Sequence, residues 1–207
     1  RSDLINYAKK NNILIPKDKK GAPPFSIDDN LFHTSTEGKV LENPINSAPE
    51  FIFQRSNSPE RAPNKATYVS ISFKNSDPIS INRKKLSPSR LLDKLNHLAG
   101  KNGVGRVDLV ENRFLGIKSR GVYETPGGTL LLIAHRAIES VCLDKETMHK
   151  KDAIMPRYAE LIYNGFWYSK ERFKLQKIID RKKNKINGTV KLKLYKGNVI
   201  IISRKTN

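Results

Sequence analysis

The segment of residues 105–128 (GRVDLVENRFLGIKSRGVYETPGG) concentrates side chains that could bind a small polar ligand. Glu111 ends an apolar, strand-like stretch, where partial burial of its charge is costly unless a cation meets it. Three cationic side chains follow in the same segment: Arg113, Lys118 and Arg120. A ligand ammonium group would serve as well, and Tyr123 adds a phenol that donates and accepts hydrogen bonds. The side chains alone leave both readings open.

A second polar cluster lies in residues 25–38 (FSIDDNLFHTSTEG). Its hydroxyl groups are weak nucleophiles without a neighbouring base, and His33 alone does not establish one. We therefore interpret Ser26 and Ser35 as hydrogen-bonding groups. Turn and capping roles are the alternative, because serine in loops more often serves in that way.

The spacing does not support the common nucleotide and metal motifs. Residues 103–105 (GVG) open like a dinucleotide fingerprint, but Asp108 stands in place of the third glycine and the motif precedes a strand. The four histidines form no HExxH pair and have no cysteine partner, so no metal site is predicted. The single cysteine, Cys142, excludes an intrachain disulfide and is interpreted as a small buried side chain.

The charge suggests one competing function. Lys and Arg number 39 against 20 Asp and Glu, a formal net charge of +19, which is typical of a nucleic-acid-binding module. The basic clusters are scattered, however, and neither zinc-finger spacing nor interleaved aromatic residues accompany them, so no nucleic-acid partner is predicted. A purely structural assembly domain is the third alternative. No apolar run approaches the roughly 18 residues of a membrane span. The single cysteine fits a reducing compartment, and we expect a cytoplasmic protein.

Hydrophobic periodicity predicts the elements that must position these side chains. We expect a short helix over residues 2–13, a boundary loop over 15–24, and a mostly irregular stretch to about residue 66. The predicted elements beyond it are a hairpin over 68–81, a helix opened by Ser87 and Pro88, a strand over 106–111, a buried helix over 129–143 extended or kinked into 145–163 around Pro156, a helix capped by Ser169, and a hairpin over 190–202. Hairpins and separate helices favour an α+β fold with an antiparallel sheet and packed helices.

Several long motifs resemble the argininosuccinate synthase family. They are residues 26–31 (SIDDNL), 35–38 (STEG), 41–44 (LENP), 110–129 (VENRFLGIKSRGVYETPGGT), 159–167 (AELIYNGFW) and 188–199 (GTVKLKLYKGNV). The resemblance covers nearly the whole chain. It implies an ATP-dependent ligase that joins citrulline and aspartate to argininosuccinate and releases AMP and pyrophosphate.

The resemblance also implies that this sequence is part of a longer chain, in which two domains have different roles. Residues 1–20 are expected to be the end of a nucleotide-binding domain and its linker, and residues 21–207 the synthetase domain. The Ser-Gly-Gly loop of the family's nucleotide domain is absent from this sequence. Contacts to Mg-bound ATP are therefore expected outside this segment, which should be inactive alone. Family members form homotetramers.

Four residues match citrulline contacts of the family: Ser26, Ser35, Glu111 and Tyr123. By this resemblance, Glu111 pairs with the ammonium group of citrulline, and the three hydroxyl groups fix its polar ends. These are positioning roles, and no residue of the segment is expected to be catalytic.

Overall fold

The computed structural model describes residues 2–14 and 25–206. The α-helices of these residues are α1 (Ser2–Lys10), α2 (Pro88–Lys101), α3 (Pro126–Cys142), α4 (Lys145–Tyr163) and α5 (Lys170–Asp180). The strands are β1 (Ser26–Asp29), β2 (Thr34–Glu37), β3 (Thr67–Lys74), β4 (Asp77–Ile81), β5 (Lys84–Lys85), β6 (Arg106–Asn112), β7 (Lys118–Glu124), β8 (Gly188–Tyr195) and β9 (Asn198–Thr206). Short 3-10 helices cover Lys39–Glu42, Glu50–Ile52 and Lys183–Lys185.

The main core lies under the larger sheet, which has the antiparallel order β5-β4-β3-β8-β9. Alternation along β3 and β8 turns one set of apolar side chains inward: Val69, Ile71, Phe73, Val190, Leu192 and Leu194. Helices α2 and α3 bring Leu95 and Leu130 into the same core. Each large apolar side chain buried there contributes about 1.5–3 kcal/mol.

The smaller sheet has the antiparallel order β1-β2-β7-β6. On one of its faces Val122 packs into a small cluster with Leu41 and Ile52, so the segment after β2 covers that face. Arg120 strengthens the cover, because its guanidinium holds both oxygens of Asp108 and donates to the carbonyl of Asn46 at 2.8 Å. The opposite face carries the side chains of the candidate site.

A buried carboxylate ties the loop before β3 to the end of β7. Glu124 is 3% exposed. It accepts hydrogen bonds from the backbone N–H groups of Gln54, Arg55 and Ser56 at 2.7, 3.0 and 2.9 Å, and from the Ser56 hydroxyl at 2.6 Å. Such a set of donors offsets the cost of burying the charge.

The predicted α+β class with antiparallel hairpins is confirmed, although the strands form two sheets. The expectation of a mostly irregular stretch before residue 66 is wrong for residues 26–29 and 34–37, which form β1 and β2. Thr34, Ser35 and Thr36 are polar, yet they are buried because β2 lies between β1 and β7. Strand β7 was also not predicted.

The expected continuous or kinked helix around Pro156 is also wrong. The chain breaks at Leu143 and Asp144, and Asp144 caps α4 by accepting the N–H of Thr147 at 2.8 Å. Helix α4 then continues through Pro156. The predicted boundary loop over residues 15–24 lies outside the described residues. No described helix combines the length and apolar composition needed to cross a membrane.

Candidate functional site

Strand register places the four predicted site residues on one face of the smaller sheet. Ser35 on β2 lies directly opposite Tyr123 on β7. Ser26 on β1 lies opposite Glu37, two positions beyond Ser35 on the same strand. Glu111 on β6 lies opposite a residue four positions before Tyr123. Residues that face each other, or are an even number of positions apart on one strand, point to the same side of a sheet.

Tyr123 and Glu111 are joined directly on this face. The phenol of Tyr123 donates a hydrogen bond to Oε1 of Glu111 at 3.1 Å. The ring reaches that carboxylate by lying over Gly121, where a Cβ atom would stand only 2.6 Å from ring atom Cε2. Burial, followed by the bond to Glu111, raises the pKa of Tyr123 to about 12. Tyr123 is therefore a neutral donor at physiological pH.

In the part of the chain that the structure describes, Arg113 is the cation that pairs with Glu111. Its Nη1 lies 3.6 Å from Oε1 of Glu111, whose side chain is 19% exposed. Arg113 makes its shorter contacts with Glu37, to which Nη2 donates at 2.7 and 2.8 Å. Arg120, another of the cations considered from the sequence, is bound to Asp108 instead. The carboxylate of Glu111 is thus near a cation without being hydrogen-bonded to it.

Ser35 and Ser26 occupy different environments. Ser35, which pairs with Tyr123 on the neighbouring strand, is 6% exposed. Ser26 is exposed on the edge strand. Ser26 lines an open cavity of about 320 Å³ together with Glu37 and Ser119. The cavity lining does not include Ser35, Glu111 or Tyr123. The face therefore joins three of the predicted residues closely, and Ser26 belongs to its β1 end.

The structure adds three residues that the sequence reasoning did not assign to the site: Glu37, Ser119 and Gly121. Glu37 and Ser119 both receive hydrogen bonds from Nη2 of Arg113, at 2.7 and 3.2 Å. The even spacing between Ser35 and Glu37 was a usable signal. It required β2 to be recognised as a strand, which its polar composition concealed.

The β1–β2 hairpin is held in place by contacts at its closed end. The hydroxyl of Thr34 donates to Asp29 at 2.6 Å, and Arg55 bonds both Asp29 and the carbonyl of Asn30. These donors, Thr34 first and then Arg55, hold the pKa of Asp29 below its ordinary value. Because Glu124 fixes the backbone of Arg55, the buried carboxylate indirectly positions the hairpin.

This face suits a small ligand with an ammonium group better than a metal or a triphosphate. The register places three carboxylates on it, those of Asp28, Glu37 and Glu111, and Arg113, the cation that contacts both glutamates, is already held. Among the described residues, no group of three or more His, Cys, Asp or Glu side chains is arranged to hold a metal ion. ATP and its Mg²⁺ do not fit this face, because a triphosphate needs several free cations or backbone N–H groups.

Comparisons with known proteins identify the family. Residues 25–207 match the family model described as the Arginosuccinate synthase C-terminal domain. An argininosuccinate synthase of Pelagibacter ubique is 80% identical over 206 residues, which are 100% of this chain and 52% of that relative. Argininosuccinate synthases of Mesorhizobium japonicum and Granulibacter bethesdensis are 59% and 58% identical over 206 residues, covering 100% of this chain and 51% and 50% of theirs.

The chain therefore spans about half the length of the curated relatives it matches. The matched domain includes both sheets and the candidate site, because the family match begins at Phe25 and extends through the last strand. The chain belongs to the argininosuccinate synthase family.

Proposed function

We propose that this chain supplies the citrulline-binding part of an argininosuccinate synthase. The enzyme joins citrulline and aspartate at the expense of ATP and releases AMP and pyrophosphate. In this reaction ATP adenylates the ureido oxygen of citrulline, and the aspartate amine then displaces AMP. The observation that carries the proposal is the shared sheet face, on which Ser35 lies opposite Tyr123 and Tyr123 is bonded to Glu111.

Each side chain has a distinct role in this proposal. Glu111 accepts the ammonium group of citrulline, and Tyr123 holds the carboxylate of Glu111 by donating to one of its oxygens. The hydroxyl groups of Ser26, Ser35 and Tyr123 hydrogen-bond the other polar groups of the ligand. No proton needs to leave these side chains during the reaction. Their effect is to hold the ureido oxygen in line with the attacked phosphate, which lowers the entropic cost of the reaction.

The remaining expectations extend to the longer protein. We place the contacts to Mg-bound ATP, and most of those to aspartate, in the half of the relatives that this chain does not cover. Residues 1–20 would then end the nucleotide-binding domain, residues 21–207 would form the synthetase domain, and this segment alone would be inactive. A cytoplasmic homotetramer completes the proposal. Exposed aromatic side chains after α4 offer it an apolar surface: Phe166, Trp167 and Tyr168.

A binding titration with citrulline tests the assignment of Glu111. In the wild-type chain, NMR signals of the smaller sheet should shift as citrulline is added. Glu111→Gln removes the charge that meets the ammonium group, and loss of a charged hydrogen bond should weaken binding about ten- to hundredfold. Asp93→Asn makes the same charge change on an exposed face of α2 and serves as the matched control. Equal citrulline affinity of Glu111→Gln and the wild type would show that Glu111 does not bind citrulline.

A further inference from the structure

Three charged side chains form a chain of contacts along the open face of the smaller sheet. Arg113 lies between Glu37 and Glu111 and contacts them unequally. Its Nη2 donates to both oxygens of Glu37, at 2.7 and 2.8 Å, and to the hydroxyl of Ser119 at 3.2 Å. Its Nη1 lies 3.6 Å from Oε1 of Glu111, which is within ion-pair distance but beyond hydrogen-bonding distance.

The unequal contacts matter because Arg113 and a ligand ammonium group would compete for the same carboxylate. Within the described residues, the phenol of Tyr123 is the hydrogen-bond donor to Glu111. Tyr123 is neutral and does not cancel the charge of the carboxylate. A guanidinium that moved onto Glu111 would cancel it and would occupy its remaining acceptor positions, since guanidinium and carboxylate groups pair in a bidentate manner.

We propose that Glu37 is a positioning residue of this site, which holds Arg113 off Glu111 and so keeps the Glu111 carboxylate available to a ligand ammonium group. The inference rests on the proposed function and adds a residue to it. Glu37 acts only through Arg113, and it does not need to touch the ligand. Ser119 assists by binding the same nitrogen of Arg113.

The sheet makes this arrangement possible. Glu37 ends β2, and Arg113 follows β6, so β7 separates the two strands. The long arginine side chain crosses β7 at Ser119, which lies opposite Glu111 in the register. Arg113 therefore has carboxylates within reach in two directions, and the one on β2 forms the shorter contacts.

The first test compares citrulline with its analogue that lacks the α-amino group. In Glu37→Gln, Arg113 loses the nearer of its two carboxylates and moves closer to Glu111, so citrulline binding should weaken about fivefold, the scale of a partly exposed ion pair. Binding of the analogue should not change, because it has no ammonium group. The double variant Glu37→Gln with Arg113→Gln should recover the lost citrulline affinity. Glu37→Asp keeps the charge and should stay within about twofold of the wild type.

Several outcomes would overturn the inference. Unchanged citrulline affinity in Glu37→Gln would do so, as would an equal loss for both ligands, which indicates general damage to the site. Failure of the double variant to recover affinity would mean that Arg113 is not the competitor. Thermal unfolding of each variant separates these results from loss of folding. If Glu37→Gln does not fold, the citrulline affinities of Glu37→Asp and Arg113→Gln are compared with that of the wild type instead. Arg113→Gln should then bind citrulline no more weakly than the wild type.

A second test needs no ligand and uses Tyr123 as the reporter. Glu111 raises the pKa of Tyr123, and Arg113 lowers it. If Arg113 approaches Glu111 when Glu37 is neutral, Arg113→Gln should raise the pKa of Tyr123 more in the Glu37→Gln background than in the wild type. Equal effects in the two backgrounds would show that Arg113 does not move, and would overturn the inference.

These outcomes distinguish the inference from the proposed function. If Glu111→Gln weakens citrulline binding while Glu37→Gln does not, the proposed function stands and the role of Glu37 is wrong. If the wild-type chain binds neither citrulline nor the analogue, the proposed function fails and the role of Glu37 fails with it.

Discussion

Replacing Glu124 with glutamine tests how the candidate site is held together. In the wild type, one oxygen of Glu124 accepts from the N–H groups of Arg55 and Ser56 and from the Ser56 hydroxyl, and the other accepts from the N–H of Gln54. A glutamine side chain has one oxygen and one NH₂ group. In its better orientation, the glutamine places its oxygen where it accepts from the two N–H groups and the hydroxyl of Arg55 and Ser56. Its NH₂ group then faces the N–H of Gln54.

The expected loss of stability follows from this count. The N–H of Gln54 would be left unsatisfied, which costs about 1–3 kcal/mol. The other three hydrogen bonds would persist but would lose the charge of their acceptor, and charged hydrogen bonds are worth more than neutral ones. We therefore expect Glu124→Gln to lower the free energy of unfolding by about 2–4 kcal/mol. That is a large fraction of the roughly 5–15 kcal/mol that stabilises a typical domain.

Urea unfolding of the wild type and Glu124→Gln measures the loss, and Asp93→Asn on α2 provides the exposed control for the same chemical change. Hydrogen exchange adds a local measurement, because the amide of Gln54 should lose more protection than the amides of α2. A change below about 0.5 kcal/mol, the size of an ordinary surface substitution, would refute the reasoning. It would mean that the loop is held by its other contacts, and that Glu124 does not position Arg55.

Three further perturbations test other contacts. Glu111→Gln should lower the pKa of Tyr123 from about 12, as measured by tyrosinate absorbance. Because folding raises the pKa of Tyr123, neutral Tyr123 contributes to stability. That contribution is complete below pH 10.0 and is lost as the pH rises towards 12. Gly121→Ala places a Cβ atom 2.6 Å from the Tyr123 ring and should weaken citrulline binding about tenfold in an NMR titration; unchanged binding would contradict the proposed use of Tyr123. Arg120→Gln should cost about 1–3 kcal/mol in urea unfolding at neutral pH. Since Arg120 lowers the pKa of Asp108 from 3.8, this difference should shrink as the pH falls below that value, and a constant difference would exclude the ion pair as its source.

The elements that were predictable from the sequence are those whose own residues determine them. The C-terminal hairpin has strict alternation, with Val190, Leu192 and Leu194 buried in the core. Helix α2 has the predicted proline start, and Leu91 and Leu95 on its buried face. In these segments local preference and tertiary packing agree, so the pattern alone is sufficient.

Strands β1 and β2 were not predictable in this way because their partners stabilise them. Their sequences, SIDD and TSTE, have no apolar alternation. Thr34 and Thr36 become buried only when β7 pairs with β2, and β7 begins about 80 residues after β2 ends. The break before α4 was predictable from the sequence, since Asp144 is a favoured capping residue, whereas Pro156 lies inside the helix without ending it.

In the candidate site, too, the sequence indicates some residues, and strand pairing determines the others. The resemblance supplied Ser26, Ser35, Glu111 and Tyr123, and the register places all four on one face. Pairing between strands far apart in the sequence determines which further side chains meet them. The contact between Arg113 and Glu37 joins residues 76 positions apart, and no spacing rule within one element describes it.

The strands that carry the candidate site are not all held equally by the sheet. Glu111 and Tyr123 lie on β6 and β7, which pair over seven residues, whereas Ser26 lies on β1, which pairs over four residues at the edge of the sheet. Edge strands are bound on one side only, so β1 depends more on contacts outside the sheet. Arg55 and Thr34 provide these contacts at the Asp29 end of β1, and Ser26 stands at the other end. We therefore expect the carboxylate and the phenol to be held more firmly by the sheet than the Ser26 end of the face.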